Sequence, residues 1–185
     1  TLGTAQDGGF PHIGCNDNCC KQAQENPALG RLIASISIVD RLKSKAWIID
    51  VTPDISKQFR MLMEYIPNLE YPSLSGIFLT HAHIGHYIGL LYFGLEALNL
   101  KNIPVYVLPG MKSFLYKNSM FYQMIENNNI IIKELNHDSK IKLSKNLEIE
   151  AFFVPHRNEL SETVGYSIQG KSKSLIYIPD IDSWE

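Results

Sequence analysis

Gly76-Ile77-Phe78-Leu79-Thr80 runs straight into His81-Ala82-His83-Ile84-Gly85-His86, and the fold class turns on that junction. The first five residues form a short apolar run, bounded upstream by Pro72 and Ser75, as a buried strand requires. Beyond the histidines, Ile88, Leu91, Leu95 and Leu98 recur at helical spacing as far as Asn99, which predicts a helix. Three of the six histidines in the chain therefore stand where a strand gives way to a helix. Layered α/β proteins place ligand sites at such strand ends. Side chains alternate along extended backbone, so His81 and His83 project the same way and can grip one ion. His86, near the helix start, can reach the same ion or a second one. Imidazole is the commonest metal ligand, and an ordinary core has no use for three so close together.

Outward from this junction, strands are expected at residues 32–39 and 46–51, joined by a polar turn into a hairpin. Thr52-Pro53-Asp54 then starts a helix whose apolar stripe is Ile55, Phe59, Leu62 and Ile66, with Pro67 as its stop. Later strands are expected at 103–108, 130–132, 147–154, 163–169 and 174–178, with a helical stretch around 111–116. Asn127-Asn128-Asn129 and residues 136–145 read as polar connectors. Hairpins, then strands alternating with helices, then strands again suggest one domain over residues 1–185, built of sheets covered by helices. Thr1-Leu2-Gly3-Thr4 resembles the tail of a strand, and nothing covers the last strand, so a domain truncated at its C-terminal end is expected.

The chain has 185 residues, 45% of them apolar, and a formal net charge of −2. That composition supplies a substantial core and lacks the basic footprint of a nucleic-acid binder. No apolar run is long enough to span a membrane and no signal peptide is evident, so a cytoplasmic location is expected. The expected partner is a small-molecule substrate, with a homo-oligomer left open. Cys15, Cys19 and Cys20 lie in one short stretch that closes no useful disulfide loop. They read either as a metal knuckle, with His12 as a fourth ligand, or as free thiols in a reducing compartment.

Other strand ends carry further candidates. His156 follows the strand at 147–154 and is placed to complete a metal site. Asp180, after the last strand, can ligate a metal or bridge two, with Asp182 as its competitor. Asp50 ends its strand where it can orient a ligand histidine or bond the following turn. His137 reads as a loop residue. No phosphate-binding loop or nucleophile elbow is present in the sequence.

Taken together, these residues resemble the metallo-β-lactamase superfamily, whose signature is His-x-His-x-Asp-His followed by a strand-end histidine and a strand-end aspartate. The matching positions are His81, His83 and His86, then His156, then Asp180. The opening, Leu2 to Pro11 with the nearby cysteines, is similar to the coenzyme PQQ biosynthesis protein B group. It is also related to the phosphodiesterases of phosphonate metabolism, whose cysteines help hold a structural zinc. The resemblance implies an αββα sandwich. It also shows a departure, because the signature aspartate is Gly85, which removes a ligand of the second metal and puts a dinuclear site in doubt.

The leading expectation is a hydrolase that turns a metal-bound hydroxide on an ester, phosphodiester or amide-type small molecule. Zinc at His81, His83 and His156, with Asp180 as a further ligand, is the one firm site. His86 would serve a weak second ion or donate a hydrogen bond to the developing oxyanion, and Asp50 would act through a histidine. Iron or manganese are the alternative metals. The competing functions are an iron oxygenase of the PQQ-biosynthesis-B type and a non-enzymatic metal-binding module, the latter supported mainly by Gly85.

Overall fold

The computed structural model describes residues 1–66, 74–136 and 139–184. The expected helix stop at Pro67, the strand boundary at Pro72 and the loop residue His137 lie outside these.

Two sheets face one another. In the first, β1 (Ile36–Asp40) and β2 (Lys45–Ile49) form the expected antiparallel hairpin. To it β3 (Leu74–Phe78), β4 (Ile103–Val107) and β5 (Ile130–Glu134) add in order, each parallel to the strand before. The second sheet is antiparallel throughout, in the order β6 (Lys140–Ser144), β7 (Leu147–Phe153), β8 (Val164–Gln169) and β9 (Ser174–Tyr177). The helices are α1 (Asn18–Glu25), α2 (Ile55–Tyr65), α3 (Ile84–Tyr87), α4 (Pro109–Lys117) and α5 (Ser119–Glu126).

The central strands read as unbroken apolar runs because both of their faces are covered. Along β2, Ala46 and Ile48 pack with Ile55, Phe59 and Leu62 of α2, while Trp47 and Ile49 point to the second sheet. Along β3, Ile77 joins the helical side, where Met111, Leu115, Phe121 and Met124 of α4 and α5 also pack. Phe78 turns the other way, stacked on Tyr106 at 4.5 Å and edge-on to Tyr166 at 5.5 Å. Ile149, Ala151, Val164 and Ile168 close that inter-sheet core. The result is the helix, sheet, sheet part of an αββα sandwich. Among the described residues no helix is long and apolar enough to cross a membrane.

Five elements depart from expectation. The helix expected from Ile88 to Asn99 is only the one-turn α3, followed by a 3₁₀ stretch over Ile88–Phe93 and turns. Leu90 and Phe93 are the large apolar side chains buried there, and Leu95 is exposed. Gly89 lies so close to the preceding loop that a Cβ would come within 2.3 Å of the Thr52 carbonyl oxygen. The backbone therefore follows that contact rather than the leucine spacing. Helices α1 and α5 were not expected at all. Strand β6 occupies part of the expected polar connector, because an edge strand carrying Lys140 and Lys142 between its apolar residues looks hydrophilic in sequence. Finally, β1 begins at Ile36, not at residue 32. Residues before it instead make single bridges to an N-terminal strip, Gly3 to Ser35, Ala5 to Ile33 and Phe10 to Arg31.

Candidate metal centre

Four strands deliver their C-terminal ends to one edge of the sandwich. Asp50 follows β2, the histidine segment follows β3, His156 follows β7 and Asp180 follows β9. The sheets are fastened together there. The Val164 N–H donates to the Thr80 carbonyl at 3.1 Å, the Tyr166 hydroxyl to the Leu79 carbonyl at 2.7 Å, and the Ala82 N–H to Ser161 Oγ at 2.9 Å. The loops holding His156 and Asp180 are linked by the Asp182 N–H donating to the Pro155 carbonyl at 2.8 Å.

His81, His83, His156 and Asp180 offer ligand atoms that all lie within 4.8 Å of one another. His81 Nε2 is 2.9 Å and His156 Nε2 3.3 Å from His83 Nδ1. Asp180 Oδ2 is 3.4 Å from His81 Nε2 and 3.6 Å from His156 Nε2. Tetrahedral zinc with bonds of ~2.0–2.1 Å separates its ligands by roughly 3.3 Å. The donor set is therefore spaced as a four-coordinate ion needs. Its chemistry fits too, since imidazole nitrogens turned on one another give no favourable contact until a cation or proton lies between them.

The outward nitrogen of each histidine is held by another group. His86 Nδ1 donates to Asp50 Oδ2 at 2.8 Å, and His156 Nδ1 to Asp182 Oδ1 at 2.8 Å. His83 Nε2 faces Glu159 Oε1 at 3.5 Å. The Thr80 hydroxyl spends its proton on the Asp50 carboxylate, at 2.9 and 3.0 Å, so His81 Nδ1 donates to Thr80 Oγ1 at 3.0 Å. That assignment leaves His81 Nε2 with its lone pair directed at the centre. Such outward hydrogen bonds fix ring orientation and raise ligand basicity in metal sites.

Asp50 is fully buried behind His86 and does not reach the centre. It touches His86 rather than the donor set, as a residue acting through a histidine would. Its φ of +64°, unusual for a side chain with a Cβ, turns the carboxylate back under Thr80 and His86. It accepts from the Thr80 N–H at 2.9 Å and faces the Tyr177 hydroxyl at 3.4 Å. Burial, reinforced by this carboxylate, holds the Tyr177 phenol well above its ordinary value. Burial alone would pull the His86 imidazole down, yet Asp50, Asp180 and Asp7 around it hold it well above its usual range. The imidazoles of His81 and His86 beside it hold the Asp180 carboxyl far below the usual carboxylate range.

A second donor set shares Asp180. Asp7, His86 and Asp180 also lie within 4.8 Å of one another. His86 Nε2 is 3.1 Å from Asp7 Oδ1 and 3.4 Å from Asp180 Oδ2. Sequence reading missed Asp7, Thr80, Glu159 and Ser161. The signature gap at Gly85 was the available signal for Asp7, because it marks a missing carboxylate without saying where the replacement lies. Asp182, expected to compete with Asp180, instead holds His156.

The cysteines lie apart from this centre. The thiol of the buried Cys20 is raised chiefly by its hydrogen bond with Cys15, and Cys19 also reaches it. His12, the expected fourth ligand, bonds the Ile13 carbonyl through Nδ1 at 2.9 Å and lays Nε2 over Gly8. Among the described residues it does not gather with the thiols into a donor set.

Comparisons with known proteins agree with this architecture. The coenzyme PQQ synthesis protein B of Acinetobacter baylyi is 37% identical over 100 residues, 49% of this chain and 31% of that protein. The protein of the same name from Klebsiella pneumoniae is 33% identical over 97 residues, 49% of this chain and 30% of that protein. The matched part thus spans less than a third of these relatives. The crystal structure of Zn(2+)-bound PqqB from Methylobacterium extorquens superposes with a TM-score of 0.79 at 21% identity, over 97% of this chain and 64% of that one. A diphosphatase from the PhnP family superposes with a TM-score of 0.66 at 26% identity, over 90% of this chain and 60% of that one. The family model of the beta-lactamase superfamily domain matches residues 47–185. That match takes in the end of β2, the histidine segment, His156 and Asp180, and the chain belongs to the β-lactamase superfamily.

Proposed function

We propose that this chain carries the catalytic centre of a metal-dependent hydrolase acting on a small ester, phosphodiester or amide. The observation that carries the reading is the convergence of His81, His83, His156 and Asp180 at ligand spacing. These residues would hold zinc, which when bound lowers the pKa of a water towards ~7 and polarises a carbonyl or phosphoryl oxygen.

The chain's own residues supply the rest. Asp50, Thr80, Asp182 and Glu159 hold the four imidazoles in orientation from behind. The Arg157 guanidinium stands 3.4 Å from His83 Nδ1, where it can pair with an anionic group of the substrate. One cavity of about 470 Å³ includes His156 and Glu159 in its wall. A larger groove of about 850 Å³ runs past Asp7 and Ile84 to Arg31 and Lys57. Both volumes suit a small molecule. The groove wall is mixed in charge, with Asp7 and Asp54 beside Arg31 and Lys57, and it is Arg157 beside the donor set that favours a phosphoryl substrate. The 26% identity to a diphosphatase over 90% of the chain supports the same preference.

The second reading is an iron-dependent oxygenase, which rests on the resemblance of the opening segment to the coenzyme PQQ biosynthesis protein B group. Three imidazoles with one carboxylate favour zinc over the two-histidine, one-carboxylate pattern of oxygenase iron. The test is elemental analysis of the full protein, followed by assay of the zinc, manganese and iron forms on chromogenic phosphodiesters, esters and lactams. Zinc-dependent turnover that disappears in both His81→Ala and His83→Ala, with unchanged circular dichroism, is expected. Turnover surviving in both variants, or oxygen uptake confined to an iron form, would overturn the proposal.

A further inference from the structure

Gly85 stands where the superfamily signature has a metal-binding aspartate, and the space beside it is already filled. A Cβ built on Gly85 would lie 2.1 Å from Asp7 Oδ1 and 2.5 Å from Asp7 Cγ. A side chain at position 85 and the Asp7 carboxylate therefore exclude one another. Asp7 reaches this place from 78 positions earlier in the chain, through a defined support. The Thr4 and Ala5 N–H groups donate to the Leu32 carbonyl at 2.8 and 2.9 Å, which docks the N-terminal strip beside β1. The Gly9 N–H then donates to the Gln6 carbonyl at 2.7 Å, closing a β-turn with Asp7 and Gly8 at its corner. Gly9 has φ +73°, which suits a residue without a Cβ.

We infer that Asp7 replaces the missing signature aspartate in trans-segment fashion, so that Asp7, His86 and Asp180 form a second divalent-metal position with Asp180 shared between the two. This rests on the reading that His81, His83 and His156 hold the first ion. The donor set is one imidazole and two carboxylates, and the imidazole is all but fully buried and locked by Asp50. Such a set is harder than the three-histidine set and suits zinc or manganese. Gly85 then marks a ligand that has moved, and the main support for a non-enzymatic module is removed.

The experiment is zinc titration of the metal-free full-length protein by calorimetry, with cobalt(II) absorption as a parallel readout of coordination. The variants are Asp7→Asn and the exchange Asp7→Gly with Gly85→Asp. Wild type is expected to take up two equivalents. Asp7→Asn should keep the first and bind the second at least ~100-fold more weakly, since even outer-shell changes cost ~10–100-fold. The exchange variant should recover the second equivalent, because its aspartate enters the vacated space. Uptake of the second equivalent at wild-type affinity in Asp7→Asn would overturn the inference. Loss of both equivalents in Asp7→Asn would also overturn it, by making Asp7 a structural residue. If wild type takes up no ion at all, the functional reading itself fails. One equivalent in wild type, unchanged in Asp7→Asn, overturns the Asp7 assignment and leaves that reading standing.

Discussion

Each imidazole at the centre is used at both of its nitrogens, one turned to the donor set and one held from behind. Asp50 shows what this demands of a single residue. Its two oxygens face the Thr80 N–H, the Thr80 hydroxyl, His86 Nδ1 and the Tyr177 hydroxyl. An amide in its place offers one acceptor and one donor group, so at least one buried donor loses its partner. Asparagine tolerates positive φ, so Asp50→Asn isolates the electrostatic loss from backbone strain. Stability should fall by about 1–3 kcal/mol, and metal affinity at His86 by ~10–100-fold. Chemical denaturation and zinc titration check the two separately, and unchanged values in both would remove Asp50 from the support of the centre. Asp50 was legible in the sequence because it closes an apolar strand of the same type as the one before His81. Asp7 was not, because its role depends on where a turn of the N-terminal strip meets the β3 loop. No local pattern encodes that meeting.

At the level of elements, the strands were more legible than the helices around the site. Strands β2, β3 and β4 are short apolar runs buried on both sides, and burial of that kind is written in composition. The segment after His86 was misread because its leucines repeat at helical intervals while its glycines serve another purpose. Gly89 N–H donates to the Val51 carbonyl at 2.9 Å, and the Val51 N–H donates to the His86 carbonyl at 2.8 Å. These bonds clamp the histidine segment to the loop after β2, and a Cβ at Gly89 would press on two carbonyl oxygens, at 2.3 and 2.8 Å. Backbone atoms cannot step aside as a side chain can. Gly89→Ala should therefore cost about 1–3 kcal/mol, as overpacking does, and move His86 away from Asp50. Thermal unfolding checks the first effect and weaker uptake of the second metal equivalent the second. A variant as stable as wild type would show that the segment has room it is not seen to have. Strand β6 escaped notice for the opposite reason, because lysines at the sheet edge protect it from pairing further and mask its apolar alternation.

Across the whole molecule, the site is also a joint between the two sheets. His81, His83 and His86 belong to the first sheet, and His156 and Asp180 to the second, while Asp7 comes from the strip docked beside β1. The strand-end positions were foreseeable because each donor sits just beyond an apolar run, and the sandwich because the histidine segment resembles a known superfamily's signature. The closure between the sheets was not, since the Tyr166, Val164 and Ser161 contacts that set it join residues about 80 positions apart. Without an ion, ligand atoms from opposite sheets face one another at 3.3 Å (His83 and His156) and 3.4 Å (His81 and Asp180), which opposes that closure. An ion bound only by the folded state adds RT ln(1 + [L]/Kd), about 2.7 kcal/mol when the free ion is at a hundred times Kd. For a chain of this size that corresponds to a rise in Tm of roughly 5–10 °C. Chelation followed by dialysis should lower Tm by that amount, and zinc added back should restore it. In a variant carrying both His81→Ala and His156→Ala, one ligand is lost from each sheet, so most of the response to chelator should vanish. Equal melting with and without chelator in wild type would show that the ion does not help hold the sheets together.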